Sequence, residues 1–296
     1  MEDLVIMYHY VMEPEEWKGS VPISPSDFRK QVEWAKEHYE IIKPEDIHKQ
    51  TQKPKCIISF DDATKDQYTN AFRILKELNV PGYFTIMSGP LIERKVPIFH
   101  LVHTVLSHFK EEQIWEEVFQ QVNVTEIKNK SDIYSYEMNE YRRYVKYLFN
   151  FYWSEEQSRP YLERKVTSIY HTLENFIEEF YLSEREILEM DASGMSIGVH
   201  SVNHLPYERN PQGFYDKEIR GCKNYLEKLL NKDVKLYTPS FGGGEQSIQM
   251  QVELLPILIE NGFILGFTTE KGFTDMRNGF WHKRIDCNQL ILNGVV

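Results

Sequence analysis

Two stretches of this 296-residue sequence end a short apolar run in side chains able to hold a metal ion or move a proton. The first is Cys56-Ile57-Ile58-Ser59-Phe60-Asp61-Asp62, which reads as a buried strand stopped by two carboxylates. Adjacent carboxylates repel, so keeping both near a core is costly unless a cation, a hydrogen-bond donor or water compensates. The plainer use of one such Asp is to cap the helix that opens near Asp66. The second stretch, Gly194 to His204, is another apolar run, ending in His200 and His204 four positions apart. On a helical turn that spacing puts both imidazoles on one face. One carboxylate with two imidazoles makes an open metal set, suited to zinc, cobalt, nickel or iron. The other carboxylate is then free to act as a base.

The elements that must position these groups follow a strand-helix rhythm. Leu4 to Tyr8 predicts a first strand with His9 at its end, and Ser24-Pro25 opens a helix carrying Phe28, Val32, Ala35 and Tyr39. After Asp62, residues Tyr68, Phe72, Leu75 and Leu78 mark a second helix, and Gly82 to Met87 returns as a strand. Strand, helix, strand implies parallel βαβ units. From about residue 90 to 190 this rhythm gives way to long helical patterns dense in aromatics, among them Tyr134, Tyr136, Tyr141, Tyr144, Tyr147, Phe149, Phe151, Tyr152 and Trp153. Aromatics at such spacing are expected in a core. The segment also carries His100, His103 and His108, which face a site only if it folds over one. Beyond His204 come a helix with Ile219, Cys222, Leu226 and Leu229 and a strand at Lys235 to Pro239. The turn Ser240-Phe241-Gly242-Gly243-Gly244 leads to a helix with Ile248, Val252, Leu255 and Ile259, and strands at Phe263 to Thr269 and Phe280 to Asp286 close the chain.

Composition narrows the classes of partner. A formal net charge of -11 argues against nucleic acid or an anionic membrane as the main ligand and suits a small molecule or glycan. Cys56, Cys222 and Cys287 are widely spaced and odd in number, which is neither a disulfide framework nor a zinc knuckle. No apolar run is long enough to span a bilayer, and no basic-then-apolar segment follows Met1, so a cytoplasmic location is expected.

Phe60-Asp61-Asp62 and His200-Ser201-Val202-Asn203-His204 together resemble the polysaccharide deacetylase (NodB-like, carbohydrate esterase family 4) pattern. Met7-Tyr8-His9, Ile23 to Phe28, Leu75 to Pro81 and Arg284-Ile285-Asp286 extend the resemblance over residues 1–90 and 190–296. It implies an α/β fold, an incomplete (β/α)7-type barrel; the helical patterns of 91–189 lie outside the resemblance and read as a large insertion serving as lid, substrate contact or homo-oligomer contact. It further implies one divalent metal, expected to be zinc, on Asp62, His200 and His204, with Asp61 as base. Such a metal polarises an amide carbonyl and brings its bound water to a pKa of roughly 7. Tyr237, Ser240, Phe241 and Gly242 are the expected substrate-binding positions, a backbone N–H of the turn helping to stabilise the oxyanion. Acetate would leave an N-acetylated carbohydrate or sugar precursor, such as a lipid-linked or nucleotide-linked intermediate of a surface polysaccharide. Removal of another acyl group such as formyl, or a non-catalytic sugar-binding role on the same barrel, are the alternative readings.

The sequence also departs from the family pattern. Ala63 stands where the family has Gly, and the Arg of its Arg-x-Pro-Tyr segment is missing from Tyr237-Thr238-Pro239-Ser240, leaving Arg284 as its substitute. The late Leu-x-Leu-His motif that supplies a general acid is absent, which makes His282 and His9 the candidates for that role.

Overall fold

The computed structural model describes residues 2–241 and 244–290. They form two compact units, one made of residues 1–12, 23–95 and 180–296 and the other of residues 13–22 and 96–179.

The first unit is a parallel barrel. Its strands are β1 (Leu4–Tyr8), β2 (Glu40–Ile41), β3 (Lys55–Phe60), β4 (Tyr83–Met87), β5 (Ser196–Ser201), β6 (Leu236–Tyr237), β7 (Leu265–Lys271) and β8 (Trp281–Asp286). β1 pairs with β8 on one side and β3 on the other, so seven strands close the ring, while the two-residue β2 hangs on the start of β3. Every pairing is parallel, as strands joined through helices require.

Side-chain alternation sorts these strands into two layers. Leu4, Ile6 and Tyr8 of β1, Cys56, Ile58 and Phe60 of β3, and Phe84 and Ile86 of β4 join the main core with Phe28, Val32 and Ala35 of the helix Pro25–His38. The residues between them face inward: Val5, Ile57, Tyr83, Leu236, Leu265 and Phe267 fill the lower barrel as a separate apolar floor. Above that floor the interior becomes polar, with Ser59, Thr85, Thr238 and Arg284 all buried. Polar side chains are tolerated there because they bond one another, as in the 3.1 Å contact of the Tyr83 and Thr238 hydroxyls. Three consecutive inward positions of β5 are small or functional: Ser196, Gly198 and His200. A Cβ at Gly198 would lie 2.5 Å from the Tyr83 hydroxyl oxygen, so the bare backbone there makes room for the ring that plugs the barrel.

The second unit is built from helices apart from residues 13–22, and its buried residues include Leu101, Val105, Ile114, Trp115, Val145, Leu148, Leu162 and Val166. It takes in residues 13–22 as well as 96–179, a membership that no periodicity at 13–22 signals. Of the nine aromatic residues expected in its core only Tyr144 and Phe149 are buried, while Tyr136 and Phe151 are more than half exposed. Tyr134, Tyr136, Tyr147 and Phe151 form a smaller aromatic cluster, in which Tyr147 stacks on Phe151 at 5.8 Å. A buried Lys146–Glu137 ion pair and an Arg142–Glu111 pair at 2.7 Å add to that core. No helix among the described residues is long and apolar enough to cross a membrane.

Candidate metal and catalytic site

The polar upper barrel leads to the C-terminal ends of the strands, where β3 delivers two carboxylates. The Asp61 N–H donates to Tyr8 O at 3.0 Å, extending the β1–β3 ladder by one residue. Asp62 and Ala63 then both adopt left-handed backbone, with φ of 76° and 58°. In a continuing strand two successive side chains would face opposite ways. The left-handed turn instead leaves Asp61 and Asp62 both buried at the same end of the barrel. Ala63 thus occupies the left-handed conformation that glycine would adopt without strain.

His200 ends the inward column of β5. Its Nδ1–H donates to Thr238 O at 2.8 Å, which leaves Nε2 as the free-lone-pair nitrogen, 3.2 Å from Asp62 Oδ1. The Nε2 of His204 lies 3.7 Å from the same oxygen. The two histidines do not share a helical turn: His200 is on the strand, and His204 follows it in a tight loop with φ of 59°. Burial opposes protonation of His200, but the hydrogen bond that a protonated Nε2 would give Asp62 and the charges of Asp61 and Asp62 outweigh this and raise its pKa.

One ligand atom from each of Asp62, His200 and His204 lies within 4.8 Å of the others. An oxygen and two imidazole nitrogens, gathered with Asp62 and His200 buried, fit a divalent transition ion, and the Thr238 carbonyl is the outer hydrogen bond that orients a ligating imidazole.

Asp61 is held differently. Arg284 grips it with two parallel bonds, Nη1 to Oδ1 and Nη2 to Oδ2, each 2.8 Å, while its Nε donates to Thr268 O. Thr85 adds a donor to Oδ1 at 3.1 Å. Burial pushes the Asp61 pKa up, yet the Arg284 charge, His200, the Arg284 hydrogen bonds and His9 together hold it below the ordinary carboxylate value. Asp61 is therefore an ionised acceptor at neutral pH. The Nε2 of His9, on a side chain 39% exposed, stands 3.9 Å from Asp61 Oδ2.

The loop that carries His9 is tied down by side chains that the sequence reading passes over. The Gln67 amide donates to the carbonyls of both His9 and Asp61, Asn70 donates to Val11 O at 2.7 Å, and Val11 N–H donates to Asp66 Oδ2 at 2.6 Å. Burial raises the Asp66 pKa to about 6. These residues lie in or next to the π-helical stretch Gln67–Phe72 that directly follows the Asp pair. Polar residues on the buried side of that stretch are the signal that marks them.

Two expected positions, His282 and Tyr237, are not brought to the site. The β1–β8 register pairs Ile6 with Ile285, which puts His282 at the opposite, N-terminal end of the barrel, level with the start of β1. There its Nδ1 bonds the Thr274 hydroxyl at 3.0 Å, and burial lowers its pKa to about 4, so it is no proton donor to chemistry at Asp61. Tyr237 is also corrected: it is the outward residue of β6, 1% exposed, and packs against Phe263 and Trp281 in the core, while its neighbour Thr238 faces the barrel interior. Gly242 lies outside the described residues. Phe241 does reach the site, its ring edge-on to that of His204 at 4.7 Å, with half-buried Ser240 beside it.

A family model described as polysaccharide deacetylase matches residues 48–257. No curated protein matches the sequence at a significant level. Among solved structures, the Streptococcus pyogenes deacetylase PplD in complex with acetate aligns with a TM-score of 0.57 and 18% identity, over 97% of this chain and 92% of that one. IcaB from Ammonifex degensii aligns with a TM-score of 0.56 and 16% identity, over 96% and 91%. BC0361, a polysaccharide deacetylase from Bacillus cereus, aligns at 0.54 and 19%, over 97% of this chain and 65% of that one. At these identities the structures establish a shared fold.

Proposed function

The chain belongs to the polysaccharide deacetylase family, and on that premise we propose that it hydrolyses the N-acetyl group of an amino sugar, using one divalent metal held by Asp62, His200 and His204. The observation that carries the reading is the convergence of these three donors beside a second carboxylate, Asp61, fixed by Arg284. The metal, when bound, would supply Lewis-acid polarisation of the acetamide carbonyl and lower the pKa of water.

The residues of the chain divide the remaining work. Asp61, ionised and oriented by Arg284 and Thr85, takes the proton of the attacking water. Water oxygen bonds to the carbonyl carbon, the C–N bond breaks, and acetate leaves the sugar amine. His9, close to Asp61 and partly open to solvent, is the group that hands a proton to the departing nitrogen. Phe241 shields His204 from one side and presents an exposed ring where a sugar would lie.

The test is metal content and acetate release by purified, zinc-repleted protein on N-acetylglucosamine oligomers, beside His200→Ala/His204→Ala. One tightly held ion per chain with acetate release, both lost in the double variant, is the expected result. A folded wild type that binds no ion overturns the metal reading, formate release from an N-formyl substrate in place of acetate redirects it to another acyl group, and binding of the oligomers without any release makes the protein a sugar binder.

A further inference from the structure

The loop that carries His204 is organised by a residue that takes no part in the chemistry above. Asn203 N–H donates to Glu218 Oε2 at 3.0 Å, and Leu205 N–H donates to the same oxygen at 3.2 Å. Between them, His204 N–H donates to Ser201 Oγ at 3.1 Å, and Val202 N–H meets the backbone carbonyl of Glu218 at 2.8 Å. Four consecutive amides are thus captured, three of them by Glu218. The residue is 1% exposed and sits in the π-helical stretch Tyr215–Ile219, a local widening that recurs at functional sites.

Two features say that this arrangement serves the loop's shape. His204 holds a left-handed φ of 59°, which is strained for a non-glycine residue and persists only where its surroundings enforce it. A buried carboxylate is also an expensive way to satisfy two amides, since burial works against its charge. One of its two oxygens bridges the backbone amides on either side of His204.

We propose that Glu218 is a positioning residue for His204, which it preorganises as a metal ligand by clamping the amides of Asn203 and Leu205; this rests on the metal reading of Asp62, His200 and His204. Because one oxygen takes both bonds, glutamine keeps the clamp and alanine removes it.

Zinc affinity, measured by competition with a chromophoric chelator, and the Tm of the metal-free protein separate positioning from mere support. Glu218→Ala is expected to weaken zinc binding roughly 10–100-fold, the usual effect of losing an outer-shell partner, while Glu218→Gln restores most of the affinity. A purely structural role would lower the metal-free Tm and leave the zinc affinity of the folded variant unchanged, which overturns the proposal. Should Glu218→Ala not fold, Glu218→Asp withdraws the carboxylate by one methylene while keeping its charge; weakened zinc binding supports the clamp, and wild-type affinity refutes it. A folded wild type that binds no zinc removes the metal reading together with this inference, whereas zinc bound equally by wild type and the Glu218 variants removes this inference alone.

Discussion

Arg284 and Asp61, 223 residues apart in the chain, meet through two parallel hydrogen bonds of 2.8 Å inside the barrel. Both partners are buried, so removing one strands the other's charge. Arg284→Met is expected to destabilise the protein by about 3–5 kcal/mol in urea unfolding. Arg284→Lys keeps a charge but not the fork, and should fold better than the Met variant while turning over more slowly than wild type. Wild-type turnover in the Lys variant would show that the bidentate grip does not orient the base.

His9 and His282 offer a direct comparison. His9 stands 3.9 Å from Asp61, and His282 lies in the lower barrel. His9→Gln is expected to lower kcat by about two to four powers of ten with little change in KM, the range typical for loss of a positioned acid or base. His282→Gln should leave kcat near wild type. Equal losses from the two substitutions would be incompatible with the assignment of His9.

His282 instead predicts a pH effect on stability. Burial lowers its native pKa from the ordinary 6.5 to about 4, only partly offset by Asp275 and Asp3 and reinforced by His48. Above pH 6.5 native and unfolded chains both carry it neutral, and its contribution is fully present. As pH falls towards 4 the unfolded chain takes up a proton that the native state resists, so stability is lost, by up to about 3 kcal/mol. Denaturant midpoints collected between pH 7 and 4 should show this slope in wild type and a shallower one in His282→Gln; parallel slopes would assign the pH dependence to other groups.

Gly89 meets the His204 loop at Val202, the residue whose N–H is taken by the Glu218 carbonyl. Its N–H donates to Val202 O at 2.8 Å, and a Cβ there would meet that oxygen at 2.4 Å. Gly89→Ala must therefore displace the backbone just before Asn203. We expect weaker zinc binding as well as a lower Tm, both read on the purified variant; unaltered binding would mean that the loop absorbs the shift upstream of His204.

What could be read in advance follows from where polarity interrupts apolar sequence. Asp61-Asp62 and His200/His204 stand out because each ends a run of buried residues, and such interruptions need a compensating partner. The fate of Tyr237 was hidden because β6 is only two residues long, too short for alternation to reveal which side chain faces inward. His282 and Arg284 share one inward column of β8, and only the pairing register with β1 tells which of them is near the site. The Glu218 clamp bonds to backbone and so has no sequence signature, whereas Gln67 is marked only by polarity on the buried side of its helical stretch. The same is true of residues 13–22, which contain no periodic pattern linking them to the helical unit.

The closure of the ring through β1 has a consequence for biogenesis. Leu4–Tyr8 is made long before Trp281–Asp286, the strand that covers one of its two edges. Pairing across so long a separation is slow, and until it happens an apolar strand edge stays open to other nascent chains. Soluble yield during synthesis is thus controlled by the final strand, and nonsense or frameshift lesions just before residue 281 would leave a seam that the rest of the barrel has no means to seal.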